Sequence, residues 1–266
     1  MENTRTKTTR NSLILLLTAA IWGMAFVSQS KGMDYMHPFT FNGVRSLIGA
    51  ASILVYILIS RKIAGDKAAP LDWKLNVKAG LLCGIFLTIA STLQQFGIKY
   101  TSVGKAGFIT TLYIIFVPMF GIFLKKKVAP VVWAAAVMAA VGMYLLCMTE
   151  SLRLGAGDIM VFLCAIAFAI QIMTVDHYAA RIDGAVVSCI QFTVCGVVCC
   201  IGALIWGQPT FGQLQEGLGA LLYAGVLSCG VGYTLQIVGQ KGLNPTVAAL
   251  IMSLESVIAT ISGWIA

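Results

Sequence analysis

Two ionisable residues stand inside long apolar runs of this sequence: Arg45 within 38–60 and Glu255 within 246–266. A charge carried into hydrocarbon costs about 2.5–3.5 kcal/mol on insertion scales, so each needs a partner or wet surroundings. A guanidinium there is suited to holding a carboxylate or fixing a polar wall; the plainer alternative is an Arg that snorkels to the outer headgroups. Burial disfavours an ionised carboxyl. Glu255, with Ser253 and Ser256 beside it, is therefore the best candidate in the chain for taking up and releasing a proton. The competing reading is a structural acid paired to a neighbouring helix or to Arg45.

Glutamine recurs in the same kind of run, at Gln29, Gln94, Gln95, Gln171, Gln191 and Gln236. An amide facing lipid leaves its hydrogen-bonding valences unmet, so these side chains are expected to face other helices or a polar cavity. Gluing packed helices together accounts for such residues equally well. Trp22 and Phe26 lie one helical turn apart, and with Gln29 they are able to form a wall for an amphipathic organic molecule, or simply to pack. The eight cysteines all fall in apolar runs and follow no zinc spacing, so they read as small hydrophobes. No phosphate-binding Gly-rich loop, His-Glu-x-x-His helix or Gly-x-Ser-x-Gly elbow occurs. Neither catalytic residues nor a cofactor or metal are expected. Asp176-His177, beside Arg181, and His37, before Pro38, read as loop residues.

The elements that must hold these residues are apolar helices. The chain has 266 residues, 59% hydrophobic and 11% charged, too little charge to cover a water-soluble globule. Span-length apolar blocks fall at 12–30, 38–60, 77–98, 106–124, 128–148, 157–175, 184–206, 217–239 and 246–266. The first is too long for a cleaved signal and reads as a retained helix. With the N-terminus inside, inner breaks hold Arg5, Lys7, Arg10, Arg61, Lys62, Lys67, Lys74, Lys78, Lys125, Lys126, Lys127, Arg181 and Lys241. Outer breaks hold only Lys31, Lys99, Lys105 and Arg153. This bias predicts a multi-pass protein of the cell membrane with a cytoplasmic N-terminus. It also explains the net charge of +8 without a nucleic-acid partner. The last block runs to the end of the chain with no polar flank, as expected of a truncated sequence.

The sequence also repeats itself. At an offset of 142 residues, 92–123 aligns without gaps to 234–265, placing Thr92, Leu93, Gln94, Gly97 and Lys99 over Thr234, Leu235, Gln236, Gly239 and Lys241. The same offset sets Ala25, Phe26 and Gln29 over Ala167, Phe168 and Gln171, and Tyr113 over Glu255. Equivalent helices are then five spans apart. Five is odd, so the copies insert with opposite orientation, an arrangement many secondary transporters use. The fifth block has no partner within the chain. Gly104, Gly107, Ala248 and Ala249 are expected to let helices approach closely, and Pro118 is expected to bend the fourth span.

These features resemble the drug/metabolite transporter superfamily, and its EamA type in particular. The resemblance rests on Ala20-Ile21-Trp22-Gly23-Met24-Ala25-Phe26, on Arg45 in Phe41-Asn42-Gly43-Val44-Arg45-Ser46-Leu47, and on Gln95-Phe96-Gly97-Ile98-Lys99-Tyr100-Thr101-Ser102-Val103-Gly104-Lys105-Ala106-Gly107. Val117-Pro118 and Met252-Ser253-Leu254-Glu255 extend it, so that it covers essentially the whole chain. It implies an all-α integral membrane protein: about nine transmembrane helices of a ten-helix fold of two five-helix inverted repeats, the tenth helix missing. The halves are 1–150 and 151–266. The implied function is alternating-access transport of a small organic metabolite such as an amino acid, with export expected. A non-transporting scaffold or regulatory membrane protein is the alternative, and an intramembrane enzyme a more distant one. Trp22, Phe26, Gln29, Arg45, Gln94, Gln95, Tyr113, Gln171 and Gln236 are the expected substrate contacts, and Glu255 the expected proton-coupling group. The expected partners are a small-molecule substrate and the lipid bilayer; proton coupling and a homodimer are left open.

Overall fold

The computed structural model describes residues 2–65, 70–123, 130–147 and 155–266. In chain order the helices are α1 (Glu2–Tyr35), α2 (Pro38–Ala64), α3 (Trp73–Ile98), α4 (Val103–Thr111), α5 (Tyr113–Phe123) and α6 (Pro130–Cys147). They are followed by α7 (Ala156–Tyr178), α8 (Gly184–Gly202), α9 (Phe211–Glu216), α10 (Leu218–Leu222), α11 (Tyr233–Gln240), α12 (Pro245–Met252) and α13 (Glu255–Ile265). Wide π-helical turns extend α8 over Ala203–Gly207 and join α10 to α11 over Tyr223–Gly232. Among the described residues, eight helical stretches are long and apolar enough to cross a bilayer. α6 lies over the expected fifth span.

Helix starts are set by side chains that accept the first free backbone N–H groups. Asp72 accepts from Leu75, Ser102 from Lys105, Asp183 from Ala185 and Val186, and Asn244 from Thr246. Pro38 and Pro245 occupy first-turn positions, where no N–H is needed. Two local expectations are corrected. α1 begins ahead of the apolar run, carrying its basic N-terminal residues in continuous helix, because Lys, Arg and Thr extend an existing helix at little cost. Asp176 and His177 form the last turn of α7 rather than a loop.

Polarity is distributed as a bilayer requires. Large aliphatic side chains such as Leu13, Leu17, Val55, Leu58, Ile85 and Ile89 face outward, while amides, hydroxyls, Arg45 and Glu255 are buried. Glycines bring the helices together: a Cβ on Gly84 would lie 2.9 Å from Val194 Cβ, and one on Gly43 2.8 Å from Cys200 Sγ. Gly107 lies against Ala259 and Ser256, and Ala248 and Ala249 are fully buried, in keeping with the close contact expected of them.

The packing pattern repeats at the 142-residue offset. α3 packs on α7 as α11 packs on α1; α5 packs on α7 as α13 packs on α1; α4 packs on α13 as α12 packs on α5. α2 and α8, themselves equivalent, pack against each other. The fourth and last spans break at matching positions, at Leu112 and at Ser253–Leu254. Matching bonds close both breaks. Leu112 N donates to Ile109 O as Leu254 N donates to Ile251 O, and the Thr111 and Ser253 hydroxyls return to the Phe108 and Leu250 carbonyls. Pro118 lies within continuous α5, so it is not the site of the discontinuity. Hydroxyl competition for the helix's own carbonyls opens the chain six residues earlier.

Candidate functional site

The repeat axis passes through a narrow internal cavity of about 40 Å³. That is room for a few waters and not for an organic solute, whose sites run to about 300–1,000 Å³. The structure therefore holds this site in a contracted form. α1 supplies Trp22, Phe26 and Gln29; α2 supplies Asn42, Arg45 and Ser46; α3 supplies Leu87, Ser91 and Gln94. From the other half come Phe168, Gln171, Phe192, Cys229, Tyr233 and Gln236. Tyr113 and Glu255 complete the lining at the two helix breaks.

Six pairs of lining residues are exchanged by the 142-residue offset: Phe26 with Phe168, Gln29 with Gln171, Leu87 with Cys229, Ser91 with Tyr233, Gln94 with Gln236, and Tyr113 with Glu255. Tyr113 Oη donates to Glu255 Oε1 at 3.0 Å. This hydrogen bond joins two positions that are equivalent in the two repeats, and so crosses the pseudo-two-fold axis. Each position is the first helical residue after its break, which puts the pair at the ends of α5 and α13.

The charges break this symmetry. Arg45 is 5% exposed, and its repeat equivalent is Val187. Its Nε donates to Asn42 Oδ1 at 2.9 Å, and its guanidinium carbon lies 5.5 Å from the Phe41 ring centroid. Arg45 therefore points inward instead of snorkelling. Among the described residues it forms no ion pair, and the carboxyl of Glu255 is engaged by Tyr113 instead. Asn42 also donates to Ser91 Oγ at 3.1 Å, so α2 and α3 hold the Arg45 side chain through one polar network.

The amides form chains. Gln236 Nε2 donates to Gln171 Oε1 at 3.2 Å, Gln171 Nε2 to Gln191 Oε1 at 3.5 Å, and Gln94 Nε2 to Thr110 Oγ1 at 3.2 Å. The Oε1 atoms of Gln29 and Gln236 are buried without a partner, which leaves acceptor capacity beside the cavity. Trp22 packs on Tyr233 at 4.5 Å between ring centroids, and Tyr233 on Phe192 at 4.9 Å.

Of the expected site residues, the structure brings Trp22, Phe26, Gln29, Arg45, Gln94, Tyr113, Gln171, Gln236 and Glu255 to one cavity. Gln95 lies elsewhere. It is fully buried behind the lining, with Nε2 donating to the Gln29 carbonyl, because one residue along a helix turns the side chain about 100° from Gln94. Sequence reasoning missed Asn42, Ser91, Phe192 and Tyr233. The offset itself was the available signal for Ser91 and Tyr233, each one turn before an equivalent glutamine.

Contacts tie the helices together toward each end of the cavity. At one end Lys105 Nζ meets Asp158 Oδ2 at 2.5 Å and Thr101 donates to Asp158 Oδ1 at 2.7 Å, tying α4 to α7. Close by in the chain, Phe39 packs on Phe96 and Trp206. At the other end Asn11 Nδ2 donates to Lys241 O at 2.8 Å, and Asp183 N to Asn76 Oδ1 at 2.9 Å.

Residues 10–148 and 155–266 both match the EamA-like transporter family. The chain belongs to the EamA-like transporter family. An uncharacterized transporter of Archaeoglobus fulgidus is 30% identical over 171 residues, a match spanning 62% of this chain and 48% of that relative. The uncharacterized transporter YwfM of Bacillus subtilis is 27% identical over 95% of this chain and 84% of its own length. One of Clostridium kluyveri is 24% identical over 94% and 83%. A protein crystal structure shares the fold with a TM-score of 0.75 at 16% identity, covering 95% of this chain and 86% of that one. The EamA-like chain is thus a multi-pass membrane protein of a transporter family, with its polar cavity on the repeat axis.

Proposed function

We propose that the chain exports a small organic metabolite, an amino acid or related compound, across the cytoplasmic membrane by alternating access. The observation that carries this reading is the cavity lined by six repeat-exchanged pairs. A symmetric shell on the axis of two inverted repeats can be reached from either face as the halves, 1–150 and 151–266, exchange conformations. The unsymmetric charges supply selectivity. Arg45 is placed to hold a substrate carboxylate, in surroundings where a charge-assisted bond is strong. Glu255 takes and gives a proton, and the aromatic wall of Trp22, Tyr233 and Phe192 receives the apolar part. The orphaned Gln29 and Gln236 oxygens accept from substrate N–H or O–H groups.

In the contracted state Tyr113 occupies the Glu255 carboxyl. Substrate entry has to lengthen that bond and part the two helix breaks, and opening one end has to release either the Lys105–Asp158 pair or the Asn11–Lys241 tie. The positive-inside bias supports an orientation with the N-terminus, Arg61, Arg181 and Lys241 on the cytoplasmic side.

Flux into proteoliposomes of a labelled panel of amino acids and nucleosides, with and without a pH gradient, tests the reading. Saturable, gradient-driven flux that Glu255→Gln uncouples is the expected result. Saturable flux indifferent to pH would remove the proton from the mechanism, and no flux for any compound from folded protein would favour a scaffold role.

A further inference from the structure

A second cavity system lies away from the axis, at the end of the molecule carrying Arg61, Arg181 and Lys241. α2 and the 218–240 span are clamped together at one level: a Cβ on Gly49 would lie 2.6 Å from Cys229 Cβ, and one on Gly225 2.7 Å from Ile48 Cγ2. Beyond Gly230 and Ser52 an apolar groove of about 500 Å³ lies between them, walled by Ile53, Tyr56, Val231, Leu235 and Val238. Tyr56 is 58% exposed, so the groove is open to the membrane side of the protein. Tyr56, Thr234 and Val238 also line a basin of about 540 Å³, which joins the groove at the helix ends.

The basin is polar where the groove is not. Arg61, Arg181 and Lys241 face it together with two carboxylates, Asp72 and Asp183. Both acids already accept backbone N–H groups, as the N-caps of α3 and α8. The N-termini of α3 and α8 add partial positive charge at the same place. Lys241 gives one bond to the Ile182 carbonyl, and an ammonium has three donors.

We propose that groove and basin together bind one anionic phospholipid, an acyl chain lying along the groove and its phosphate among Arg61, Arg181 and Lys241. An amphiphile with one anionic end meets both surfaces; a free anion fills only the basin, and a neutral lipid leaves the excess of three cations over two carboxylates uncompensated. With this end cytoplasmic, as proposed above, the adjoining leaflet is the one that supplies anionic headgroups. The site shares no lining residue with the axial cavity, so it stands or falls separately from the transport reading.

The test is a titration of the full chain, purified in non-ionic detergent, with phosphatidylglycerol, phosphatidylcholine and inorganic phosphate, followed by native mass spectrometry and thermal shift. Phosphatidylglycerol is expected to bind at least tenfold more tightly than phosphatidylcholine. Arg61→Gln alone should weaken it about fivefold, and Arg61→Gln/Arg181→Gln/Lys241→Gln by on the order of a hundredfold. Val238→Trp, which fills the junction and keeps every cation, should abolish the preference as well. Equal binding of the two lipids overturns the proposal, as does phosphatidylglycerol binding that survives both Arg61→Gln and Val238→Trp. Inorganic phosphate displacing the lipid at matched concentration identifies a free-anion site and overturns it too. If the triple variant fails to fold, the two single variants decide.

Discussion

At the scale of single residues, Arg45 is the cation that lines the axial cavity. Its Nε donates to Asn42, its guanidinium carbon lies 5.5 Å from the Phe41 ring centroid, and the side chain lines the cavity. Lysine keeps the charge and loses both the planar guanidinium fork and the ring contact. Arg45→Lys is therefore expected to lower saturable flux roughly tenfold and Arg45→Gln roughly a hundredfold, since charged hydrogen bonds are worth about 1.5–3 kcal/mol. Equal activity of the two variants would show that position 45 contributes charge and no geometry. His37 offers a pH-dependent test outside the spans. Its ring accepts the Phe39 N–H through Nδ1, and burial, aided by Lys99, holds its pKa below the ordinary 6.5. Above pH 6.5 the ring is neutral in both folded and unfolded chains. As pH falls through 6.5 the unfolded chain takes the proton first, so stability declines until the folded ring titrates as well. Thermal unfolding in detergent between pH 7.5 and 5 should show this decline in the parent and a smaller one in His37→Asn, which keeps an N-cap that does not titrate.

At the scale of helices, glycine contacts fix the scaffold. A Cβ on Gly84 would meet Val194 Cβ at 2.9 Å and the Gln191 backbone at 3.2 Å, while Gly212 has nothing within 4 Å. Gly84→Leu is expected to cost about 1–3 kcal/mol by overpacking, seen as a lower melting temperature; Gly212→Ala should leave it within a degree or two. The helices themselves were legible because each apolar block is long and bounded by charge, proline or polar clusters. The breaks at Leu112 and Ser253–Leu254 were not, because neither contains glycine or proline. Pro118 drew the expectation instead, yet a proline whose neighbours remain helical marks no interruption. In the site, Arg45, Glu255 and most of the glutamines were legible because polarity in hydrocarbon is costly wherever it occurs. Ser91, Asn42 and Tyr233 do not stand out by residue type, since small hydroxyls, amides near a helix end and tyrosines are ordinary in membrane helices; the offset alone marks Ser91 and Tyr233, and nothing in the sequence marks Asn42. Only the contact between α2 and α3, visible in three dimensions, joins Asn42 to Ser91.

At the scale of the whole molecule, the 142-residue offset governs packing, helix breaks and cavity alike, and the Tyr113–Glu255 bond is where the two copies meet themselves. Both residues follow a leucine at an equivalent break, so their backbones present side chains to the axis in equivalent ways. Exchanging them should then rebuild the same pair with its donor and acceptor reversed. Tyr113→Phe removes the donor, and Tyr113→Glu alone sets two carboxyls against each other; each is expected to lower the melting temperature and cut flux by roughly ten- to a hundredfold, the cost of leaving a buried polar group unpaired. The double variant Tyr113→Glu/Glu255→Tyr should recover most of the stability and a substantial part of the flux, a coupling that a double-mutant cycle reads directly. Recovery of stability without flux would mean that the fold treats the halves as equivalent while transport requires the carboxyl in the second. Recovery of neither would mean that the surroundings, Arg45 above all, have made the two ends of the bond distinct.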